Sequence, residues 1–203
     1  HWRTLSTEEG VTVTDGNWVL TLGTFAGTID EVENPLMITG ATAGSGVLDL
    51  NAINEESGLA APVKAIGAKA FEFRSDLVGL VLAPEIRNLY RGCFQQTGIA
   101  NLPDFSQVVF IEEDVFRDCS GLKGHPDFTS LVQVKNNAFQ NTKLSGDLSL
   151  PNLQAANFQA FYNAAFDGAL VAPKLTTVNG YAFGNLAIKS VEAESLEHVG
   201  GNA

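Results

Sequence analysis

Apolar residues recur along the chain with a period of 22 to 23 residues. The clearest column is a phenylalanine that precedes a polar turn, and its members are Phe71, Phe94, Phe116, Phe139, Phe161 and Phe183. A unit of about 20 to 29 residues cannot bury its apolar face alone and must stack on its neighbours. The pattern therefore predicts a solenoid of six stacked coils.

Three further columns keep the same period. The residue before each phenylalanine is small enough for a tight coil: Ala70, Cys93, Val115, Ala138, Ala160 and Ala182. Five residues before it are Ile66, Leu89, Ile111, Val134, Ala156 and Val178, and eight before it are Val63, Ile86, Val108, Leu131, Leu153 and Leu175. We predict that each coil turns four side chains inward at these matched offsets.

The last residues follow the same pattern, with Leu196, Val199 and Ala203 at the inward offsets. We therefore expect a phenylalanine at position 204 and a seventh repeat that continues past the given sequence. Either the chain is a piece of a longer protein, or further residues follow that this sequence does not include, or two chains cover their ends against each other.

The segments "IGAKAF", "VKNNAFQNTKLSGDLSLPNL" and "VNGYAF" share the pattern I-x-x-x-A-F, a polar turn and L-x-x-x-L-x-L-P. This pattern resembles the BspA-like leucine-rich repeats of bacterial surface proteins, and "FRDCSGL", with Cys119, fits that family's F-x-x-C-x-x-L turn. The resemblance covers residues 63–203. It implies a leucine-rich-repeat solenoid, a right-handed β/α-type superhelix with short parallel strands on one face, and roles in adhesion, host-protein binding or cell contact.

Residues 1–62 lie before the repeats and read as β structure. "VTVTDGNWVLTL" alternates on both sides of Asp15-Gly16, which is a strong hairpin signal. "PLMIT" and "VLDL" predict further strands separated by a "GATAGSG" turn, and "NEESGLAAP" reads as an inserted loop. We interpret residues 1–62 as a β-rich N-terminal cap on the solenoid, with a separate small β domain as the alternative.

A strand is predicted five or six residues after each phenylalanine. It contains a column of Gly79, Asn101, Gly124, Gly146, Gly168 and Ser190, which we interpret as a shared backbone kink, because glycine and asparagine tolerate positive φ. After this column, the alternation of apolar and polar residues along the strand predicts that these side chains point inward: Phe105, Phe128, Leu148, Leu150, Leu170 and Ala172. In the first and last coils the inward residues are Leu80, Leu82, Val191 and Ala193.

The same register predicts a candidate binding site on the outward positions of this strand. Its residues are Asp104, His125, Asp127, Asp147, Ser149 and Val171. Stacked carboxylates beside a histidine could await a cation or a basic group of a partner. The alternative is a solvated polar face of an acidic protein.

Charge and motifs narrow the function. A net charge of −11 excludes nucleic acid as an expected partner, because the field repels phosphate backbones. No apolar run reaches the roughly 18 residues of a spanning helix, so we expect no direct membrane insertion of this segment, with any leader or lipid anchor outside it. Cys93 and Cys119 lack metal or redox spacing, and Cys93 occupies a core column, which predicts an inert thiol.

The sequence contains no G-x-S-x-G, H-E-x-x-H, phosphate-loop or dinucleotide motif. We therefore expect no enzyme activity, no cofactor and no metal. The prediction is an extracellular module on the bacterial cell surface that binds a protein or glycan, with a structural spacer as the alternative. We expect a monomer, with an end-to-end dimer through the seventh repeat as the other possibility.

Overall fold

The computed structural model describes residues 1–7 and 10–203, and these residues form 19 strands and one helix. The N-terminal elements are β1 Arg3–Thr7, β2 Gly10–Thr14, β3 Val19–Thr24, β4 Thr28–Ile29, β5 Val32–Glu33, β6 Leu36–Ala43, β7 Gly46–Asp49 and α1 Leu50–Glu56. The coils contain β8 Val63–Ile66, β9 Leu77–Val81, β10 Asn88–Leu89, β11 Phe110–Ile111, β12 Lys123–Gly124, β13 Gln133–Val134, β14 Lys143–Ser149, β15 Ala155–Ala156, β16 Ala165–Val171, β17 Thr177–Val178, β18 Ser190–Glu192 and β19 His198–Val199.

Each coil contributes to parallel ladders that run along the solenoid. One 11-stranded sheet has the order β1-β2-β3-β6-β8-β10-β11-β13-β15-β17-β19 and is parallel from β6 onward. A second ladder joins β12, β14, β16 and β18, and β7 pairs with β9. The solenoid prediction is confirmed, but the strands occupy two positions in most coils instead of one face. Among the described residues α1 is the only helix, so the coils are built from strands and turns.

The phenylalanine column forms a continuous stack of rings through the core. Successive ring centroids from Phe71 to Phe183 lie 5.4 to 5.6 Å apart, with interplanar angles of 15° or less. Phe71 to Phe161 are fully buried, whereas Phe183 is half-buried. At the N-terminal end Trp18 meets Phe71 edge-on at 6.1 Å and 86°. The stack therefore links the N-terminal strands to the coils.

The N-terminal strands share the sheet and the core of the coils. The β2–β3 hairpin is confirmed, and Asp15 Oδ1 closes its turn by accepting from the backbone N–H of Asn17 (2.9 Å) and Trp18 (2.7 Å). Trp18, Leu20 and Ile38 belong to one buried cluster with the phenylalanines. The structure thus has the continuity that a cap requires, and the division at residue 62 stays a prediction.

Two local features in this region differ from the expectation. The strand predicted for "PLMIT" continues through Ala43, so only the end of "GATAGSG" forms the turn. The first residues of the predicted "NEES" loop lie in α1, whose N-cap Asp49 accepts from the backbone N–H of Ala52 at 2.9 Å. The helix buries Leu50 and Ile53 against the coils, and this tertiary burial outweighs the turn-like composition.

A partial seventh coil stacks on the sixth in the same way as the other coils. β19 pairs in parallel with β17, and the backbone N–H of Phe183 donates to the carbonyl of Ala203 at 3.1 Å. The equivalent bond one coil earlier joins Phe161 N–H to the carbonyl of Ala182 at 2.8 Å. The period therefore extends through residue 203.

A ladder of three asparagine side chains, which begins at the carboxylate of Asp118, runs parallel to the rings, two residues after each of the last four phenylalanines. Asn141 Nδ2 donates to Asp118 Oδ1 (2.7 Å), Asn163 Nδ2 to Asn141 Oδ1 (2.7 Å), and Asn185 Nδ2 to Asn163 Oδ1 (2.6 Å). All four residues have φ between 54° and 62°, a left-handed conformation that asparagine and aspartate accept more readily than most residues. Each of these residues therefore serves both the turn and the bond between coils.

Replacement of Asn163 separates these two roles. Asn163→Gly keeps the left-handed backbone but removes both ladder bonds, so we expect the free energy of unfolding to fall by about 1 to 2 kcal/mol in chemical denaturation. Asn163→Ala also places a β-carbon in the left-handed region, which adds about 1 kcal/mol of destabilisation. Asn179→Ala, at an exposed asparagine outside the ladder, is the matched control. Equal stability of Asn163→Gly and the parent protein would show that the ladder contributes nothing.

Candidate binding surface

The outward positions of the second ladder hold the candidate residues. Ser149 on β14 pairs with Val171 on β16, and Val171 pairs with Glu192 on β18. Asp104 and Asp127 lie at the equivalent places in earlier coils, outside regular strands. Five candidates are exposed, namely Asp104, His125, Asp127, Asp147 and Ser149, and Val171 is half-buried.

The inward positions agree with the predicted register. Phe105, Phe128, Leu148, Leu150, Leu170 and Ala172 are buried, as are Leu80 and Leu82. Val191 also points inward, but it is 60% exposed because it lines an apolar hollow of about 280 Å³ at the last coil, together with Phe183, Leu196 and Val199. The predicted alternation of inward and outward residues is therefore correct, and the inward residues are buried wherever another coil stacks on them.

Two candidate carboxylates close turns. Asp104 Oδ1 accepts from the backbone N–H of Ser106 at 2.9 Å, and Asp127 Oδ1 accepts from the backbone N–H of Thr129 at 2.9 Å and from its hydroxyl. Hydrogen bonds from the side chain and backbone of Ser106 lower the pKa of the Asp104 carboxyl below its ordinary value. These are local side-chain turns, which aspartate favours.

Asp147 and His125 bind neighbouring backbone instead of each other's side chains. Asp147 Oδ1 accepts from the backbone N–H of Ala169 at 2.8 Å, in the next coil. His125 Nε2 donates to the carbonyl oxygen of Asp147 at 2.8 Å, so this nitrogen carries the proton. His125 is therefore hydrogen-bonded to the backbone of Asp147 and not to its carboxylate.

The glycine column explains how these side chains fit. Gly124 and Gly146 have φ of 108° and 85°, as the kink interpretation predicts, whereas Gly79 and Gly168 do not have positive φ. At Gly146 a β-carbon would lie 3.3 Å from His125 Cδ2, and at Gly168 it would collide with Asp147 Oδ1. The column is small mainly because the outward side chain of one coil lies across the backbone of the next.

Four of the six candidates line two separate hollows, and Asp147 and Val171 line neither. His125, Asp127 and Ser149, with Thr129 and Pro151, line a hollow of about 380 Å³, which we call the His125 hollow. Asp104 lies apart, in a hollow of about 410 Å³ with Asn51 and Glu55 of α1. Within residues 1–7 and 10–203 no group of three or more His, Cys, Asp or Glu side chains is arranged to hold a metal ion. Asp104 therefore does not share a hollow with His125, and the prediction that these residues form a binding site stays a prediction.

Both cysteines are buried in the core. Burial raises the pKa of the Cys93 thiol well above its ordinary value, and burial also raises the pKa of Cys119. Cys119 Sγ donates to the carbonyl oxygen of Phe94 at 3.1 Å and lies 3.4 Å from the hydroxyl of Thr97. The cysteine of the F-x-x-C-x-x-L turn thus satisfies a buried carbonyl of the preceding coil.

The sequence analysis missed an exposed aromatic cluster near the phenylalanine turns. Phe158 and Tyr181 are 42% and 40% exposed, and Tyr162 is half-buried beside them. Tyr181 meets the other two rings edge-on, at 6.2 Å from Phe158 and 6.1 Å from Tyr162. Their spacing of 19 to 23 residues in a 22-residue repeat was the available signal.

No helix formed by the described residues has the length and apolar character needed to cross a membrane.

Comparison with known proteins identifies the repeats. The model of the BspA-type leucine-rich repeat region matches residues 51–165 and 129–203, in six copies. No protein with a curated description matches the chain in sequence. The chain is similar in structure to a leucine-rich cell surface protein from Faecalibacterium prausnitzii, with 15% sequence identity and a TM-score of 0.61. The similarity covers 94% of this chain and 51% of that one, so the chain spans about half the length of that protein.

Proposed function

The chain belongs to the BspA-type leucine-rich repeat family, and on this basis we propose that it is a non-catalytic binding module exposed on a bacterial cell surface. Its repeats recognise a protein or glycan through their outward residues. The name of the similar structure, a leucine-rich cell surface protein, supports the proposed location.

The contrast between inward and outward positions carries this proposal. Inward positions repeat the same apolar types in coil after coil, whereas the outward column reads Asp104, Asp127, Ser149, Val171 and Glu192. Stacked coils hold such varied side chains on an extended surface, which is how solenoid proteins contact partners. The uniform core holds the coils together, and the outward residues provide the contacts with a partner.

The chemistry of the described residues supports a role without catalysis. Both thiols are buried with raised pKa values, so neither is a ready nucleophile.

The His125 hollow is the proposed contact site on this surface. It combines a carboxylate, a hydroxyl and an imidazole with the apolar walls of Pro126 and Pro151. A partner that covers the hollow and donates hydrogen bonds, or carries a positive charge, would complement the carboxylate of Asp127. Asp147 bonds to His125 through its backbone carbonyl, and its carboxylate, which accepts from the backbone N–H of Ala169, carries a second negative charge on the same face.

The test is binding of the purified chain to an array of extracellular matrix proteins, mucins and polysaccharides, with and without calcium and across a salt series. Asp127→Asn and Asp147→Asn keep an oxygen to accept the backbone hydrogen bonds but remove the charge. We expect a saturable partner whose affinity falls about tenfold in the double variant, because a covered carboxylate loses a charged hydrogen bond.

Glu194→Ala is the control, because it removes one exposed negative charge in the last described coil. A partner bound equally well by the parent protein and the double variant would place the contact elsewhere on the repeats. If the folded chain binds nothing on the array, the binding proposal fails and the spacer interpretation takes its place.

A further inference from the structure

The turns around the phenylalanine stack differ sharply in charge along the solenoid. In the first three coils, residues 68–74, 91–97 and 113–119 carry eight charged side chains: Lys69, Glu72, Arg74, Arg91, Glu113, Asp114, Arg117 and Asp118. The equivalent residues 136–142, 158–164 and 180–186 carry none. Lys135 borders this neutral region, but its Nζ is paired with Glu112 at 2.7 Å. A chain with a net charge of −11 therefore keeps one half of this surface uncharged.

Phe158, Tyr162 and Tyr181 lie in the neutral half and form what we call the aromatic patch. The rings pack over glycines of the next coil, because a β-carbon at Gly180 would lie 3.7 Å from Phe158 Cδ2 and one at Gly184 would lie 3.0 Å from Tyr162 Cδ2. Two rings of one coil thus lie on bare glycines of the next, with Tyr181 edge-on between them. Exposed clusters of this kind on a soluble surface mark interaction sites.

Tyr181 occupies a position that does not favour an aromatic residue. Its φ is 58°, and the left-handed region costs a residue with a β-carbon about 1 to 2 kcal/mol. The equivalent position is left-handed in every coil: Gly92, Asn137 and Asn202 adopt this conformation more readily, whereas Lys69, Asp114 and Gln159 adopt it with φ of 55° to 60°. The ring is 40% exposed, so core packing does not explain it, and its hydroxyl accepts from Asn202 Nδ2 at 3.1 Å. The left-handed conformation therefore belongs to the repeat, and the case for Tyr181 rests on its exposure and on the two rings that it contacts.

Uncharged amides surround the patch. Asn163 and Asn185 lie in the side-chain ladder, and Asn137 Nδ2 donates to Gln159 Oε1 at 2.8 Å. These groups offer hydrogen-bond donors and acceptors without charge. A sugar presents C–H groups that stack on an aromatic face and hydroxyls that bond to amides. The patch has no charge that could pair with a charged polymer or with the charged rim of a typical protein partner.

We propose that the aromatic patch and its flanking amides form a second binding site, which takes an uncharged glycan chain that runs along the coils. The coils lie about 4.8 Å apart, so successive sugar rings can meet successive coils. This site is separate from the His125 hollow, and it extends the proposed binding role to a defined ligand class.

The test is isothermal titration and affinity electrophoresis of the chain with neutral polysaccharides, namely glucans, mannans, galactans and xylans, and with the charged polymers heparin, hyaluronan and alginate. We expect saturable binding of at least one neutral polymer that does not weaken with added salt. Tyr181→Asn should reduce affinity at least tenfold while the protein stays folded and is at least as stable, because asparagine fits the left-handed position. Phe158→Ser should also weaken binding.

Phe73→Asn is the matched control, because Phe73 is a 56% exposed aromatic with φ of 62° in the charged half. It relieves the same backbone conformation and should leave glycan binding unchanged. The proposal is overturned if no neutral polymer binds, if only charged polymers or proteins bind, or if Tyr181→Asn and Phe158→Ser bind as the parent does. If a neutral polymer binds and its affinity falls in the Asp127→Asn and Asp147→Asn variant but not in Tyr181→Asn, the polymer occupies the His125 hollow and the second site is overturned.

Discussion

Phe139→Ala is expected to lower the free energy of unfolding by about 3 to 5 kcal/mol, the range for removing a buried aromatic ring. Phe139 is fully buried in the middle of the stack, with Phe116 at 5.4 Å and Phe161 at 5.5 Å. Phe105 and Phe128 also meet its ring, at 5.8 and 5.2 Å. Truncation therefore leaves a cavity whose walls are rigid rings from neighbouring coils. Chemical denaturation followed by circular dichroism measures the change.

Phe183→Ala is the control for position in the stack. Phe183 is half-buried and meets the stack on one side, at 5.6 Å from Phe161. We expect it to lose less than half as much stability as Phe139→Ala, because the removed ring was already partly in water. Equal losses at the two positions would contradict a stack in which each ring depends on both neighbours.

Trp18→Ala is expected to produce a loss of similar size, about 3 to 5 kcal/mol. Trp18 is fully buried and edge-on to Phe71, and its Nε1 donates to the carbonyl oxygen of Val47 at 2.9 Å. Gly44 leaves room for the ring, since a β-carbon there would collide with it. Removing the indole exposes the first ring of the stack, so we expect the coils to lose stability together with the N-terminal strands.

The measurement is again denaturation by circular dichroism, with the urea midpoint of the whole transition as the readout. Trp18→Phe keeps part of the apolar volume and should lose less, whereas Val32→Ala, at a 38% exposed position, should change little. If Trp18→Ala melts the N-terminal strands in a separate step and leaves the coils as stable as before, Trp18 does not seal the stack.

The core of the coils could be predicted from the sequence because one residue type marks each column. The phenylalanines recur every 22 or 23 residues, and their apolar rings are expected to point into the core, where Phe71 to Phe161 are fully buried. The outward positions of Asp127 and Ser149 followed from the two-residue alternation of a strand, which leaves one choice once Phe128 and Leu150 are placed inside.

The features that the sequence analysis missed depend on contacts between coils. The strands of the first ladder are mostly two residues long, too short for any local pattern, and they exist because each pairs with an equivalent strand one coil away. The asparagine ladder is likewise a set of bonds between residues 22 or 23 positions apart. Such bonds leave no mark in local propensity.

The arrangement of the candidate site also depends on contacts that the sequence pattern does not contain. Spacing alone suggested that Asp104, Asp127 and Asp147 gather around His125. Their distribution instead depends on backbone donors, since Asp104 bonds to Ser106 and Asp147 to Ala169. Which donor a carboxylate chooses depends on turn geometry that the one-dimensional pattern does not contain.

Native-state hydrogen exchange by mass spectrometry tests most directly whether one stacked core runs from the N-terminal strands to the last coil. The account predicts the slowest exchange in β10, β11, β13 and β15, faster exchange in β17 and β19, and protection of β2, β3 and β6 close to that of β8. It also predicts that Trp18→Ala raises exchange in β6 and β8 together. Exchange of the N-terminal strands as a separate unit, with the protection of β8 and β10 unchanged, would contradict a single continuous core.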